Sequence, residues 1–308
     1  MQVAADLHTT LYEMSAQWPA IPFDEWCETR ETLHRYAQIV GKIQLALTPT
    51  VNHFWNVTLR VTAHGLATTA LVFKDISFDL ELDLVHHELV IRTSDGVNRA
   101  VALGEHSVAD FYREVFAALE SLGIHVHIWD HPVELKSEAI PFHEDRKHET
   151  YDREFAERFF HVLTSASRVL EEFRARFIGK CSGVGFYWGT FDLSVARYSG
   201  RRVPNAPTEP VMEREGYSHE VSEVGFWPGD VTHRSAGFYA LHYPQPPGFE
   251  NAIVRPDGAA WDEGAHSFVL PYDRDLDADR ILTFCQSTYE TGANLATWDR
   301  EQLERSSL

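Results

Sequence analysis

Residues 76–84 read ISFDLELDL, and this stretch decides the fold class. Isoleucine, phenylalanine and leucine occupy its even positions, whereas serine, aspartate and glutamate occupy the odd ones. Because successive side chains of a strand point to opposite faces of a sheet, the alternation predicts a strand with one apolar and one polar face. Such a strand is typical of an antiparallel sheet that packs against a core on one side.

The segments on either side extend this sheet. Upstream, Val57, Leu59 and Val61 alternate with polar neighbours. Downstream, turns at 85–88 and 94–96 separate further short apolar runs. Turns at this spacing connect neighbouring antiparallel strands. The first part of the chain therefore predicts an antiparallel meander.

Two helices flank this meander in the sequence. The first begins near Asp24, an N-cap type of residue, and turns one apolar face to a core before Gly41. The second begins after Ser107, which together with Asp110 resembles a capping box, and stops at Gly123. Helices on both sides of a run of strands indicate an α+β arrangement.

A polar connector divides the chain. The charged segment 132–151 follows a short predicted strand at 124–128. We place a boundary near residue 150, between an N-terminal α+β half (1–150) and a C-terminal α+β half (151–308). A chain of 308 residues has room for two units of roughly 100–200 residues each.

The second half repeats the element order of the first. A helix from about Asp152 precedes strands, and a closing helix runs from about Asp277 to Leu303. The matching features are Gly41-Lys42 with Gly179-Lys180, Phe54-Trp55 with Tyr187-Trp188, and Leu59-x-Val61 with Leu193-x-Val195. We predict an α+β fold of two similar halves, each an antiparallel sheet flanked by helices. Internal duplication explains the matches, and chance similarity between two α+β segments is the alternative.

Composition and charge narrow the function classes. The formal net charge of -19 argues against nucleic acid as a partner, because phosphates repel an acidic protein. Only the cluster of Arg197, Arg201 and Arg202 departs from this balance, and its size suits one small anionic group. The N-terminus has no signal-peptide pattern, and no apolar stretch reaches the roughly 18–20 residues of a membrane span. These features predict a cytoplasmic protein without a membrane partner.

Cysteines and short motifs give no enzyme class. Cys27, Cys181 and Cys285 lie far apart in the sequence, and we expect them to be reduced structural thiols. The chain contains no GxGxxG, GxxxxGK[ST], GxSxG or HExxH sequence. His125 and His127 share one face of a predicted strand, as metal ligands do, but without a second ligand strand a solvated polar face is the favoured interpretation. We assign no metal ligands.

The connector also concentrates reactive groups. Residues 142–151 combine carboxylates, imidazoles and a phenol, and Asp145 would reach His148 if a helical turn forms there. A hydrated linker that caps the next helix is the favoured interpretation.

The richest segment for a functional site is 181–229. Strand alternation ends an apolar row in Arg197, whose guanidinium would either reach water or hold an anion through two hydrogen bonds. His219 is a titratable base near neutral pH, and Glu220 follows it. Adjacent residues of a strand face opposite ways, so contact between these two side chains is not required.

These residue types suggest roles. The predicted catalytic residues are His219 as acid/base and Glu220 or Asp192 as the orienting carboxylate, and the predicted ligand-binding residues are Arg197, Arg201, Trp188 and Trp227. The arginines would hold the anion, and the tryptophans would form apolar walls. A structural salt-bridge network among the same charged residues is the alternative.

Five segments carry a resemblance to a known family. They are ETLHRYAQIVGKIQ (31–44), VNHFWNVTL (51–59), GKCSGVGFYWGTFDLSVARYSGRR (179–202), GYSHEVSEVGFWPGD (216–230) and FCQSTYETGANLATWDREQLE (284–304). The chain resembles an uncharacterised bacterial family known only as a domain of unknown function. The resemblance implies bacterial origin and supplies no activity, cofactor or catalytic residue. Gly183 departs from the family pattern, which has proline after the serine, and so does the pair His125 and His127.

Three hypotheses for function follow. The first is a small-molecule binding protein or enzyme with a pocket for an anionic ligand between the two halves, where clefts form naturally. The second is a non-catalytic interaction or scaffold protein, which buried Trp188 and Trp227 and a fully paired Arg197 would favour. The third is a metalloprotein that uses histidine ligands; the candidates are His53, His148 and His219. The sequence indicates no cofactor and no oligomeric state.

Overall fold

The computed structural model describes residues 18–104, 106–273 and 276–305. In the N-terminal half, one helix precedes six strands and a second helix follows them. The elements are α1 (Phe23–Leu47), β1 (Arg60–Val61), β2 (Gly65–Ala67), β3 (Leu71–Phe73), β4 (Ile76–Asp83), β5 (Glu88–Thr93), β6 (Asn98–Ala102) and α2 (Val108–Ser121).

The C-terminal half also begins and ends with helices. Its elements are α3 (Arg153–Ala175), β7 (Gly185–Tyr187), β8 (Asp192–Arg202), α4 (Val211–Gly216), β9 (His219–Trp227), β10 (Gly237–Tyr243), β11 (Ala260–Asp262), β12 (Ser267–Pro271), α5 (Ala278–Leu295) and α6 (Arg300–Leu303). Short 3-10 turns lie at Asn52–Phe54 and Phe249–Asn251.

Each half builds one antiparallel sheet. The N-terminal sheet has the order β1-β2-β4-β5-β6, with β3 paired to β4. The C-terminal sheet has the order β11-β12-β10-β9-β8-β7. Within β4, Phe78, Leu80 and Leu82 are buried in the core, as the alternation predicts. The predicted α+β class with two antiparallel sheets and flanking helices is confirmed.

The two sheets meet edge to edge. Leu59 and Phe186 exchange two backbone hydrogen bonds, of 2.9 and 2.8 Å, across an isolated antiparallel bridge. Helix α3 packs against α1, α5 and strands of both sheets. One hydrophobic cluster runs through both halves, from Leu33 on α1 to Phe284 on α5. The halves therefore share a core, and the boundary near residue 150 stays a prediction.

The internal duplication is not confirmed. Both halves run helix, antiparallel sheet, helix, but the N-terminal sheet branches at β3, whereas the C-terminal sheet is unbranched and carries β11 on its edge. The matched Gly-Lys pairs differ as well, because Gly41 lies inside α1 and Gly179 follows the end of α3.

Local signals around α2 have mixed outcomes. Ser107 caps this helix, since its hydroxyl accepts a hydrogen bond from the Asp110 amide at 3.2 Å and donates one to the Asp110 carboxylate at 2.7 Å. Gly123 follows the helix at φ 75°, as predicted. The strand predicted at 124–128 is wrong. Ile124 and Val126 are buried and alternate with exposed polar residues, which produces a strand-like pattern. The segment nevertheless belongs to no strand of the described chain.

The remaining sequence features concern membranes and thiols. No helix in the described ranges combines the length and apolar character that a membrane span requires. Cys27, Cys181 and Cys285 are free thiols. Burial raises the pKa of Cys285 to about 12, which makes it a poor nucleophile.

Helix α1 is buried on nearly all sides. Its predicted apolar face turns Leu33, Tyr36 and Val40 into the core. At Gly41 the backbone of the helix lies directly against the ring of Trp188, which occupies the place of a β-carbon. The indole of Trp188 is fixed there because Nε1 donates a hydrogen bond of 2.7 Å to the carbonyl of Val57.

Replacing Gly41 by alanine should therefore destabilise the protein, although alanine normally improves a helix interior by about 0.5–1 kcal/mol. A methyl group would overlap the Trp188 ring, and overpacking of this kind costs about 1–3 kcal/mol. Gly216, in α4, has no atom within 4 Å of its β-position and provides the control. Urea denaturation should show a lower free energy of unfolding for Gly41→Ala only. Equal effects of the two substitutions would contradict this packing.

Candidate functional site

The face of α1 opposite its apolar stripe is polar and buried. The residues of this polar face are Arg30, Glu31, His34, Arg35 and Gln38. Arg35 forms ion pairs of 3.0 Å with Glu31 and 3.1 Å with Asp145. Because buried charges need partners, this face binds the surrounding chain segments tightly.

His34 joins the two halves through the turn between β7 and β8. Its Nε2 donates hydrogen bonds to the carbonyl oxygens of Trp188 at 3.0 Å and Gly189 at 2.9 Å. Its Nδ1 lies 3.4 Å from the guanidinium of Arg30, which can donate to it. Burial and the charge of Arg30 lower the pKa of His34 to about 3, so the ring is neutral. His34 is therefore a structural hydrogen-bond donor.

A small cleft lies beside this turn, between the halves. Its volume is about 20 Å³, and its lining residues from α1, the connector and the C-terminal half include Arg30, His34, Glu134, Thr190 and Asp230. That volume holds about one water molecule. The cleft contains none of the residues that the sequence assigns to a site.

The structure divides the predicted site residues between the two faces of the C-terminal sheet. We call the face that packs on α3 and α5 the inner face and the opposite one the outer face. Alternation along β8 and β9 places Arg197 and Glu220 on the inner face. It places Asp192 and His219 on the outer face, where Tyr198 belongs to a separate small apolar cluster. The predicted set therefore does not form one site.

On the inner face, Arg201 is fully engaged. Its guanidinium pairs with Glu220 at 2.7 Å and also donates hydrogen bonds to the carbonyls of Ala296 at 2.6 Å and Thr297 at 3.2 Å. These carbonyls lie at the C-terminal end of α5, where cations are favourable. Arg201 thus caps a helix, and Glu220 orients it rather than His219.

The two predicted tryptophans lie apart. Trp188 is buried in the core against α1. Trp227 is half-buried at the end of β9, with its ring 5.8 Å from that of His233. They do not wall a common pocket.

A basic cluster occupies one end of the outer face. The Lys180 ammonium donates a hydrogen bond of 2.7 Å to Nε2 of His53. Nδ1 of His53 donates to the carbonyl of Glu215 at 3.0 Å, so His53 is neutral and accepts from Lys180. The ring planes of His219 and His53 meet at 75° with their centroids 5.5 Å apart, and Arg202 on β8 lies opposite His219 in the register with β9. We call these four residues, His53, Lys180, His219 and Arg202, the basic cluster.

Burial and neighbouring cations disfavour the protonated forms of both histidines in the basic cluster. Burial and Lys180 lower the pKa of His53, and burial with Lys180 and Arg202 lowers that of His219. His53 and Phe54 also adopt left-handed backbone conformations, at φ 59° and 57°. Strain of this kind at non-glycine residues is common where a side chain must be aimed at a functional position.

A carboxyl pair lies farther along the same face. The hydroxyl of Tyr239 donates a hydrogen bond to Asp192 and lies 3.2 Å from Oε1 of Glu223, which also accepts from Ser194 at 2.7 Å. Thr190 donates to Asp192 from the turn. Burial raises the pKa of Asp192, and burial together with the charge of Asp192 raises that of Glu223 to about 7. A carboxyl group that titrates near neutral pH can both donate and accept a proton.

Gly225 makes this arrangement feasible. It lies between Ser194 on β8 and Tyr239 on β10 in the sheet register. A β-carbon at Gly225 would approach the ring of Tyr239 to 2.7 Å. The side chain of Tyr239 therefore crosses β9 at Gly225 and reaches Asp192 on β8 and Glu223 on β9.

Residues 18–305 match the model of DUF5996, a family of unknown function. The chain belongs to this family. The resemblance of the five sequence segments is thereby confirmed. No curated protein and no solved structure matches the chain. DUF5996 membership assigns no role to any residue, so function has to be argued from the site.

Other histidines lie away from the outer face. His148 bonds to Asp145 at 2.8 Å, the contact that the sequence anticipated, and Asp145 also binds Arg35. In the described part of the chain, no group of three or more histidine, cysteine, aspartate or glutamate side chains is arranged to hold a metal ion. The lone pair of His53 is turned to the Lys180 ammonium, which opposes a cation there.

Sequence reasoning missed half of the outer face. Lys180 and Glu223 lie within segments that carry the family resemblance, but nothing in their own neighbourhood marks them as functional. His53 was considered only as a metal ligand. Tyr239 has no local signal, since its approach to Asp192 depends on register across three strands and on Gly225.

The carboxyl pair makes stability depend on pH. Because the pKa of Glu223 is raised to about 7, the folded state binds a proton more tightly than the unfolded state, and the free energy of unfolding should fall as pH rises from about 4.5 to 7. The contribution is on the order of 3 kcal/mol. In Glu223→Gln this loss should be absent when urea denaturation is measured across the same pH range.

Glu120, an exposed residue of α2, provides the control for this measurement. Glu120→Gln should follow the wild-type profile. If the profile of Glu223→Gln also runs parallel to that of the wild type, Glu223 is an ordinary ionised carboxylate, and the proton-sharing pair is refuted.

Proposed function

We propose that the protein binds a small anionic molecule at the basic cluster on the outer face. One observation carries the proposal: within the described ranges, none of the four basic side chains forms an ion pair with a carboxylate. The absence of carboxylate partners is unusual for basic groups in a chain with a formal charge of -19. A bound anion would offset the charges of Lys180 and Arg202 and accept hydrogen bonds from them and from a protonated His219, while the neutral His53 holds Lys180 in place.

The location also supports the proposal. His53 comes from the N-terminal half, whereas Lys180 and His219 come from the C-terminal half, so the ligand would lie where the two halves meet. Trp55 and Tyr198 border the cluster, with the Lys180 ammonium 5.5 and 5.3 Å from their ring centroids. These rings provide apolar walls, the part that Trp188 and Trp227 were expected to play.

Enzymatic proton transfer is the second candidate function, and the carboxyl pair favours it. Glu223 lies four residues from His219 on the same face of β9, or about 13 Å along a strand. The anion would then be a handle that positions a substrate, while Glu223 exchanges a proton with a group at the other end. Aromatic side chains, including Tyr217 and Tyr198, lie between these two points.

The scaffold hypothesis retains the inner face. Of the three features that it requires, Trp188 is buried, but Trp227 is half-buried and Arg197 has no ion pair in the described chain. This hypothesis offers no reason for the basic cluster to lack acidic partners. Binding of an anion separates the two hypotheses.

Binding of inorganic sulfate, measured by isothermal titration calorimetry at low ionic strength, tests the proposal. Sulfate keeps its charge near neutral pH, so that only the protein titrates. Lys180→Met should weaken binding about tenfold to a hundredfold, since a charge-assisted hydrogen bond contributes about 1.5–3 kcal/mol. Binding should be tighter at about pH 6 than at pH 8, because a bound anion favours the protonated form of His219, whose pKa is lowered in the free protein, so that the imidazole takes up a proton on binding. His219→Asn should lose this pH dependence.

Arg201→Ala is the matched control, because it removes a cation next to Arg202 in β8 whose donors are already occupied on the inner face. It should leave the sulfate affinity unchanged. No binding of sulfate by the wild-type protein, or equal losses in Lys180→Met and Arg201→Ala, would refute the basic cluster as an anion site.

Turnover tests the second candidate. Incubation with a mixture of phosphorylated and carboxylated metabolites, followed by mass spectrometry, should reveal consumption of a substrate by the wild-type protein. Glu223→Gln should lose this turnover by about a hundredfold or more, the usual contribution of a general acid or base, while its sulfate affinity stays unchanged. Unchanged turnover in Glu223→Gln would exclude it as the acid or base.

A further inference from the structure

Arg197 lies at the end of the apolar row on the inner face and is fully buried. Its relative exposure is 0%. The guanidinium carbon lies 3.4 Å from the ring centroid of Phe173 and 4.3 Å from that of Tyr289, between the sheet and helices α3 and α5. The sequence predicts that this guanidinium either reaches water or holds an anion, and its burial excludes bulk water.

The charge of Arg197 has no partner of opposite sign in the described chain. One guanidinium nitrogen donates to the carbonyl of Phe173, and Nε and Nη1 have no hydrogen-bond partner there. The neighbouring carboxylate of Glu304 is occupied by Arg300, at 2.5 and 3.1 Å. An unpaired buried charge is costly, and buried donors without partners are rare in folded proteins.

Other unpartnered groups surround the same place. Nε1 of Trp298 and both ring nitrogens of His242 are buried, without a hydrogen-bond partner in the described ranges. The centroid of Trp298 is 4.8 Å from that of His242 and 6.0 Å from that of Tyr289, the ring that also lies against Arg197. In the sheet register, Arg197 on β8 and His242 on β10 both lie opposite Ser222 on β9. Gly292 on α5 lets His242 approach the helix, because a β-carbon would overlap its ring.

We propose that Arg197, Trp298 and His242 enclose a binding site for one small monovalent anion between the C-terminal sheet and α5. All three supply N–H donors, which suits an anion. Complete burial limits the ligand to the size of a halide, formate or similar ion. Burial and the nearby charge of Arg201 lower the pKa of His242 to about 4, so that ring is neutral. Because Glu220 pairs with Arg201, Arg197 carries the one uncompensated positive charge, which sets the valence of the anion at one.

This site is separate from the basic cluster. Arg197 lies on the inner face, and Lys180 lies on the outer face. Failure of either site in an experiment leaves the other untouched, so substitutions at the two positions distinguish them.

Crystals of the whole protein grown in sodium bromide test the inference, because bromide scatters X-rays anomalously. We expect an anomalous peak in hydrogen-bonding contact with Arg197 that persists in Lys180→Met and disappears in Arg197→Met. In solution, the melting temperature of the wild-type protein should rise by about 2–4 °C for each tenfold increase of bromide above its Kd. Lys180→Met should keep the rise in melting temperature that comes from bromide bound at Arg197. Arg197→Met should lose that part of the rise.

Trp298→Phe keeps the ring and removes one donor, so it serves if Arg197→Met does not fold. It should weaken bromide binding about tenfold. A water molecule or no density at Arg197, with equal bromide responses in wild type and the Trp298→Phe variant, would overturn the proposal. Arg197 would then be an arginine stabilised by aromatic rings and a single carbonyl.

Discussion

The polar face of α1 is the constraint on which the rest of the structure depends. A helix that is buried on nearly all sides has to satisfy its charged residues mainly with protein groups, because they are shielded from bulk water. Here His34 donates hydrogen bonds to the carbonyls of Trp188 and Gly189, and Arg35 forms ion pairs with Glu31 and Asp145. The turn between β7 and β8 is thereby fixed to the N-terminal half. The backbone bridge between Leu59 and Phe186 then aligns the two sheets along one edge.

This alignment builds the outer face. The chain that leaves α1 crosses the C-terminal sheet and places His53 beside Lys180 and His219. The same turn that α1 holds also delivers Thr190 to Asp192, next to Tyr239 and Glu223. The basic cluster and the carboxyl pair, whose two members both contact the Tyr239 hydroxyl, thus lie on one surface, separated by aromatic side chains. In the proposed function, the basic cluster would bind an anion and the carboxyl pair would exchange a proton.

Much of the fold could be predicted from the sequence because its signals are local. The alternation in residues 76–84 reports the strand β4, and Ser107 with Gly123 marks both ends of α2. The site could not be predicted in the same way. Whether His219 meets Arg197 depends on the face of the sheet to which each points and on the irregular pairing between Tyr198 and Arg202. The polar face of α1 looks like a solvated face until both halves cover it, since hydrogen-bond partners such as Trp188 lie about 150 positions away.

If α1 joins the halves into one folding unit, the outer face exists only in the complete chain. Hydrogen exchange with mass spectrometry along a urea gradient reports protection in each half at once. We expect β4 and β5 to lose protection at the same urea concentration as β8 and β9. Two clearly separated midpoints would show that the halves unfold independently, and they would contradict this expectation.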